Sequence, residues 1–440
     1  MSIQNSIKIP VVAKKFLVPF ILITSLFALW GIANDLTNPM VSAFKKVMPE
    51  LSNVQASLVQ FAFYFGYFFM ALPAALFIRK YSYKSGIILG LSLYALGAFM
   101  FYPAAAMAEF NFFLISLWVI TCGLAFLETT SNPLILSLGD PSTATQRLNL
   151  AQAFNPIGSL TGMIIAQVFV IGALRSDDYS ESEFSALTVD QLATIRTNDL
   201  EIISIPYIAL GVLVLGIMAM ILFTKIPKTS DAQKITLKAS FKKLLSNINY
   251  KEGVIAQIFY VGAQIMCWTY IFQYVDNIND TFGLELTATY YNLMAMVSFL
   301  IGRWIGTALM KRINPSKLLM WFGIGGVIFS WGAIVFVGIT GLISLVLVSA
   351  FMSIMFPTIY GIALKDMGDE AKIGSAGLVM AIVGGALMPV LQGSILDLGG
   401  SGFSDVKILG FIPEVNYSFI LPMICLAVVS LYGFRSYKRS

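Results

Sequence analysis

Long apolar stretches separated by short polar ones run through almost the whole chain. Twelve of them approach or exceed the roughly 20 residues that a membrane-spanning helix needs. They are predicted at residues 16–45, 54–78, 85–106, 110–138, 148–174, 202–224, 253–278, 287–310, 317–338, 342–364, 372–397 and 411–434. Because these stretches are continuously apolar rather than alternating, the pattern favours helices over the strands of a membrane barrel. The sequence therefore predicts an all-α membrane protein with twelve transmembrane helices.

Composition supports this class and narrows the possible chemistry. The chain is 58% hydrophobic and 12% charged, with a mean hydropathy of +0.81, whereas a soluble domain carries about 25% charged residues. It contains no histidine, which excludes histidine proton relays and histidine metal sites. Cys122, Cys267 and Cys425 fall inside predicted helices without metal-binding spacing, so we interpret them as apolar packing residues. We expect no cofactor.

The net charge of +5 is explained by position along the chain rather than by an anionic partner. Lysine and arginine occupy alternate loops, whereas the intervening loops are acidic or nearly uncharged, as in residues 177–201. Loops rich in lysine and arginine stay on the cytoplasmic side. Both termini and the central loop are therefore predicted to be cytoplasmic, and no nucleic-acid partner is predicted. No cleavable signal peptide is evident.

The twelve predicted helices fall into two similar halves. A polar stretch at 225–252 separates six helices in residues 1–224 from six in residues 253–440, and we interpret it as a cytoplasmic linker loop. The basic segment 79–86 after the second helix is matched by 311–317 after the eighth. Two six-helix halves in the same orientation resemble the parallel repeat of the major facilitator superfamily. That resemblance implies a substrate site between the halves and alternating access from the two sides of the membrane.

Two carboxylates lie inside predicted membrane helices of the first half. Asp35 is in the first helix and Glu128 in the fourth. An ionisable side chain at the bilayer centre costs about 2.5–3.5 kcal/mol on insertion scales, and such residues usually handle ions, protons or polar solutes. Asn34 and Asn38 share one side of the first helix with Asp35. The alternative is that Asp35 marks a solvated helix end.

Amide side chains accompany the second carboxylate. Asn132 follows Glu128 by one helical turn, and Pro133 removes the hydrogen bond to the carbonyl of Thr129, which becomes a possible further ligand. In the fifth helix, Gln152 and Asn155 fall on one face. Carboxylates and amides match the donors and acceptors of sugar hydroxyl groups. These residue types therefore favour a sugar as substrate.

The second half is poorer in charge and richer in aromatic residues. Gln264 and Trp268 recur at helical spacing in the seventh helix, where Trp268 either stacks on a sugar ring or anchors the membrane interface. Arg303 is the only basic residue well inside a membrane helix of this half. It either neutralises a carboxylate, binds substrate or extends to the cytoplasmic end of its helix.

Several segments together resemble the bacterial L-fucose:proton symporter family, which includes glucose and galactose transporters, some of them sodium-coupled. The segments are 27–30, 33–34, 60–68, 127–129, 132–133, 147–155, 260–264, 267–268, 301–303, 351–354 and 357–359. The resemblance implies a protonatable aspartate in the first helix and a glutamate in the fourth. Glu128 matches the glutamate, but Asn38 occupies the aspartate position. Either the carboxylate has moved one turn to Asp35, or another ion is coupled, or residue 38 is not the natural one.

Together these features predict a secondary active transporter that imports a monosaccharide, L-fucose or a related hexose, with a cation by alternating access. H⁺ is favoured, and Na⁺ at Asp35 and Glu128 is the alternative. Cation coupling is assigned to Asp35, Glu128 and Asn38. The predicted sugar-binding residues are Asn34, Asn38, Gln60, Tyr64, Asn132, Gln152, Asn155, Gln264, Trp268 and Arg303. We expect a monomer in the lipid bilayer of a bacterial inner membrane.

Two other functions remain open at this point. Gly158 and Gly162 near Pro156 weakly resemble the glycine-rich stretch of exporters, so a drug or metabolite:proton antiporter is the alternative. A membrane-embedded enzyme is disfavoured because the sequence has no histidine, no cysteine cluster and no phosphate-binding loop.

Overall fold

The computed structural model describes residues 9–37, 40–48, 51, 53–178, 187–226, 237–396, 407–408, 410 and 412–439. Within this part of the chain, twelve helical stretches are long and apolar enough to cross a membrane. The predicted all-α fold with twelve spans is therefore confirmed.

The first six spans and a short extra helix are formed by eight α-helices. These are α1 (Leu17–Thr37), α2 (Met40–Val47), α3 (Asn53–Lys80), α4 (Tyr83–Met107), α5 (Phe110–Ser137), α6 (Ala144–Gln152), α7 (Asn155–Ile165) and α8 (Val189–Phe223). We call this set the first half. The fifth span consists of α6 and α7 in series.

A short helix, α9 (Leu237–Ser246), precedes the second half. The second half comprises α10 (Ile248–Phe282), α11 (Ala288–Leu309), α12 (Pro315–Val335), α13 (Ile339–Met352), α14 (Met355–Ala363), α15 (Ala371–Met380), α16 (Gly384–Leu396), α17 (Glu414–Ser418) and α18 (Ile420–Arg439). Two short strands, β1 (Lys407–Ile408) and β2 (Ile412–Pro413), pair antiparallel before α17. The tenth, eleventh and twelfth spans are each built from two consecutive helices.

Because twelve spans are described, the first span begins and the last span ends on the same side of the molecule. The basic residues that follow the second span (Arg79 and Lys80) and the eighth span (Lys311 and Arg312) lie at helix ends on that side. We call this side the basic face. It is the reference for the position of the site within the fold.

The predicted first span, 16–45, covers α1, described up to Thr37, and most of α2, described from Met40; residues 38–39 between them lie outside the described part of the chain. The sixth span differs from its prediction for a physical reason. The predicted sixth span begins at 202, whereas α8 begins at Val189. Hydropathy detects only the apolar part of a helix, so a polar extension such as this one is missed.

The fifth span of the first half and the tenth span of the second half are each interrupted before a proline. The fifth span breaks between Gln152 and Asn155, ahead of Pro156, and the tenth breaks between Met352 and Met355, ahead of Pro357. A proline has no amide hydrogen and therefore cannot bond the carbonyl four residues earlier. The two breaks occupy corresponding places in the two halves, and both lie beside the central cavity described below.

The three cysteines are buried and make no disulfide. Each lies in a membrane-spanning helix, and Cys267 and Cys425 belong to the large apolar core. Their predicted role as packing residues agrees with this placement.

Candidate functional site

A cavity of about 1000 Å³, a volume that includes space open to solvent, lies between the two halves. Nine of the predicted site residues line it: Asn34, Asp35, Tyr64, Glu128, Gln152, Asn155, Gln264, Trp268 and Arg303. Asn38 and the side chain of Gln60 lie outside the described part of the chain, so their predicted roles stay predictions.

Both predicted carboxylates reach this cavity although each side chain is almost fully buried. Asp35 is 7% exposed and Glu128 is 6% exposed. Tyr64 lies within electrostatic range of Asp35, and Tyr67 of Glu128. In the cavity wall of the first half, each of the two acids therefore has a tyrosine nearby. Asp35 is buried against the cavity.

Close backbone packing fixes the position of Asp35 relative to the fifth span. Helices α1 and α7 approach so closely that a methyl group on Gly158 would meet the carbonyl oxygen of Ala28, and one on Gly162 would meet that of Ile32. Small residues permit this approach between membrane helices. The glycines that weakly suggested an exporter therefore have a packing role here.

A chain of amide hydrogen bonds connects the cavity to the helix of Glu128. The side-chain amide of Gln152 donates to the side-chain oxygen of Asn132 at 2.8 Å, and Asn132 donates to the main-chain carbonyl of Glu128 at 3.0 Å. Asn132 is completely buried behind Gln152. Asn132 therefore does not line the cavity in this structure, and its predicted contact with sugar stays a prediction.

The second half supplies an aromatic wall opposite the acids. The indole N–H of Trp268 donates to the Ser349 hydroxyl at 3.2 Å, and the ring meets Phe299 edge-on with centroids 5.3 Å apart. These contacts place Trp268 inside the protein at the cavity rather than at the membrane interface. Gln264, one turn away on α10, lines the same wall.

Arg303 bridges the two interrupted spans. Its Nε donates to the carbonyl of Ser353, and its Nη1 donates to the carbonyl of Gln152 at 2.8 Å. These are the carbonyls four residues before Pro357 and Pro156, which have lost their helical partners. The guanidinium also lies 4.6 Å from the ring centre of Phe299. Of its three predicted roles, extension to the helix end is wrong, because the side chain is held at the cavity.

The same pattern recurs at Pro133. The carbonyl of Thr129, four residues earlier, accepts a hydrogen bond from the hydroxyl of Ser375 on α15 at 3.0 Å. The sequence singled out this carbonyl as a possible ligand. In the structure its partner is a side chain of the other half.

Further hydrogen bonds join the two halves in the region between the cavity and the basic face. Asn149 donates to the hydroxyl of Thr358 at 3.1 Å, and Gln146 donates to the carbonyl of Thr307 at 3.3 Å. Both donors lie on α6, which packs against α14 and α11. We call this set of contacts the basic-face seal. The cavity lies on the other side of it.

Several cavity residues were missed by sequence reasoning. They are Trp30, Phe63, Tyr67, Pro156, Ser159, Tyr260, Val261, Ile265, Met296, Phe299, Phe356 and Ile382. Most are apolar or aromatic, and their residue types do not distinguish a cavity wall from a membrane-helix core. Tyr260 was visible at helical spacing from Gln264 and Trp268.

Comparison with known proteins identifies the fold and its relatives. The family model described as Major Facilitator Superfamily matches residues 16–392. The chain is 53% identical to the L-fucose-proton symporter of Haemophilus influenzae over 433 residues, covering 97% of this chain and 98% of the relative. It is 35% identical to the L-fucose-proton symporter of Escherichia coli over 431 residues, covering 96% and 94%.

A solved structure supports the same relationship. The crystal structure of the transporter FucP in the outward conformation matches with a TM-score of 0.84 and 34% identity, covering 96% of this chain and 99% of that one. In the present structure the halves are bonded together at the basic-face seal, and the cavity lies on the other side of it. This arrangement agrees with the outward conformation of the matched structure. These relatives are transporters rather than enzymes, so the predicted absence of enzymatic activity is confirmed. This multi-pass membrane chain belongs to the Major Facilitator Superfamily of transporters.

Proposed function

We propose that this chain is a symporter that imports L-fucose together with a proton. The observation that carries the proposal is one cavity between the halves in which Asp35 and Glu128 lie with the amides of Gln152 and Asn155, opposite Trp268. The two fucose-proton symporters that the chain resembles over almost its whole length support the choice of sugar and ion.

The cavity suits a monosaccharide because it pairs polar groups with an aromatic wall. Gln152, Asn155 and Asn34 offer amide donors and acceptors to hydroxyl groups on one side. Trp268, held by Ser349, offers a flat apolar surface to the C–H face of the ring on the other. Small-molecule sites typically combine mainly apolar walls with a few fixed polar groups.

Protonation links the acids to the movement of the halves. A carboxylate in a low-dielectric interior costs several kcal/mol when ionised. Closure of the cavity over Asp35 and Glu128 is therefore favoured when protons neutralise them, and sugar contributes the contacts that bridge the two walls. Each ligand thereby raises the apparent affinity for the other. In this scheme Asp35 supplies the charge that Asn38 lacks.

The basic face is the cytoplasmic side in this proposal. Arg79, Lys80 and the other basic helix ends follow the positive-inside rule. The membrane is then the bacterial inner membrane, with both termini in the cytoplasm, and the transporter acts as a monomer. The basic-face seal corresponds to a carrier that receives sugar from outside.

The two halves, residues 1–224 and 253–440, move against one another about the cavity in this proposal. Within the linker, Ser240 on α9 accepts a hydrogen bond from Arg79 of the first half at 3.1 Å. Lys243 of the same helix pairs with Glu370 of the second half at 2.9 Å. The linker helix is thus bonded to both halves on the basic face.

Uptake into proteoliposomes tests the proposal. Purified protein is reconstituted, and entry of radiolabelled L-fucose is followed in sodium-free buffer with an acidic exterior. We expect concentrative uptake that a protonophore abolishes, and competition by unlabelled L-fucose stronger than by galactose, glucose or an amino sugar. Uptake that requires a sodium gradient and ignores the pH gradient would overturn proton coupling. Efflux of ethidium without sugar counterflow would instead favour the antiporter.

A further inference from the structure

The hydroxyl of Tyr360 is a buried polar group that the scheme above does not use. Tyr360 lies on α14, one turn towards the basic face from the cavity residue Phe356, and its ring stacks on that residue with centroids 6.2 Å apart. The side chain is completely buried, and its hydroxyl makes no well-aligned hydrogen bond with the described residues. Its hydrogen-bonding neighbour is the side chain of Ser375 on α15.

The surroundings of this hydroxyl connect the cavity to the basic face. Glu128 lies within electrostatic range from α5, as do Tyr83 at the start of α4 and Tyr250 at the start of α10. From α15, Ser375 lies beside it. The ionisable or hydroxyl groups facing Tyr360 therefore come from four helices, and only Glu128 is a cavity residue.

Ser375 ties this hydroxyl group to the helix of Glu128. Its own hydroxyl reaches the carbonyls of Thr129 at 3.0 Å and Lys372 at 2.8 Å. Thr129 directly follows Glu128, so a second-half hydroxyl is held one residue from the acid. This contact crosses the boundary between the halves, and separation of the halves on this face would break it.

Polar groups continue from here to the surface. Lys372, with its side chain 7% exposed, lies over the ring of Tyr83 at 5.4 Å and 3.8 Å from Asp369, whose side chain is 31% exposed. Tyr250 donates to the carbonyl of Gly374 at 3.0 Å. The groups around Tyr360 thus lead from a nearly buried acid to one that meets solvent on the basic face.

We propose that Tyr360 relays the proton of Glu128 towards the basic face. This inference rests on the proposed proton coupling. When the halves separate on this face, water reaches the hydroxyls of Tyr360 and Ser375. The Glu128 carboxyl gives its proton to Tyr360, directly or through one water, while Tyr360 gives its own to the next water. The products are a Glu128 carboxylate, a neutral phenol and a hydronium ion on the basic side.

The variant Tyr360→Phe keeps the ring and removes only the hydroxyl. Three quantities are measured in the reconstituted protein: L-fucose binding by thermal shift, sugar counterflow without a gradient, and sugar-driven proton movement with a pH-sensitive dye. Exchange of sugar for sugar needs no release of the proton. We therefore expect unchanged binding and counterflow, with proton movement and concentrative uptake slowed about tenfold or more, as for loss of a proton-transfer group.

Two further variants separate this role from packing. Tyr432→Phe removes another buried phenol, bonded to the carbonyl of Asn249 at 3.1 Å away from the cavity, and should leave all three measurements unchanged. Ser375→Ala keeps Tyr360 and removes its neighbour, so it should reproduce the selective slowing even if Tyr360→Phe folds poorly.

Equal slowing of counterflow and proton movement in both site variants would overturn the proposal in favour of a structural role, and so would normal proton movement in both. Absence of sugar-driven proton movement in the unmodified protein would instead refute the proposed symport, and this inference with it.

Discussion

The hydroxyl of Ser375 donates a hydrogen bond to the main-chain carbonyl of Thr129 across the boundary between the two halves, at 3.0 Å. Pro133 leaves that carbonyl without a helical partner. Arg303 satisfies two more carbonyls of this kind, at Gln152 and Ser353. Each of these prolines thus opens an acceptor inside a membrane helix, and a side chain of the second half supplies the donor. The bonds to Thr129 and Gln152 cross between the halves, so under the proposed transport cycle they can be made and broken without unfolding a helix.

Glu128→Gln should abolish concentrative uptake of L-fucose. Glutamine keeps the size and hydrogen-bonding capacity of the side chain but cannot exchange a proton. Sugar counterflow should persist, because the exchange of sugars needs no change of protonation. Uptake and counterflow are measured in the same proteoliposome preparation. Accumulation of sugar against its gradient in this variant would show that another group carries the proton.

Asp35→Asn tests whether the first-helix carboxylate is displaced by one turn. We expect loss of concentrative uptake, because this change removes the only acid of α1 that lines the cavity. The double variant Asp35→Asn with Asn38→Asp moves the acid to the position matched by the relatives' aspartate and should restore part of the accumulation. If the single variant accumulates sugar normally, Asp35 is only a polar helix end.

Thr358→Val should weaken the basic-face seal. The substitution keeps the branched shape but removes the oxygen that accepts the amide of Asn149. Loss of one such hydrogen bond is worth about 0.5–1.5 kcal/mol, which corresponds to a two- to tenfold change in the conformational equilibrium. Distances between spin labels on the two halves at the basic face report that population.

The matched control is Thr340→Val, because this threonine is exposed at the start of α13, away from the boundary between the halves. An unchanged distance distribution in Thr358→Val would mean that the Asn149 contact does not hold the halves together.

Gly158→Ala should destabilise the protein and displace α1 from α7. The added methyl group would meet the carbonyl oxygen of Ala28, which belongs to rigid backbone. Overpacking of this kind typically costs about 1–3 kcal/mol. Thermal unfolding in detergent measures the loss, and L-fucose affinity reports the shift of Asp35. Gly216→Ala is the control, since a methyl group there would meet no neighbour within 4 Å. Equal stability of the two variants would contradict the close contact.

Much of the architecture could be predicted from short stretches of the sequence. Hydropathy alone gives the number and order of the spans, since each must bury its backbone bonds within itself. The rarity of acids in lipid marks Asp35 and Glu128, and helical spacing brings Gln152 and Asn155 to one face. These four residues do line one cavity.

Contacts between the halves could not be predicted in this way. Pro133, Pro156 and Pro357 reveal which carbonyls are left open, but the donors Ser375 and Arg303 are distant in sequence. Their partners depend on the relative orientation of the two halves. A pattern within one stretch of sequence carries no information about that orientation. Asn132 shows the same limit. Its spacing from Glu128 does not reveal which way its side chain faces, and in the structure it contacts Gln152 and does not line the cavity.

The burial of all three cysteines has a practical consequence. Cys122, Cys267 and Cys425 are shielded within the helices and form no disulfide. A membrane-impermeant maleimide should therefore leave the native protein largely unlabelled. Reporter cysteines can then be introduced one at a time without first replacing the three native cysteines. A fluorescent label on each reporter follows the movement of the half that carries it.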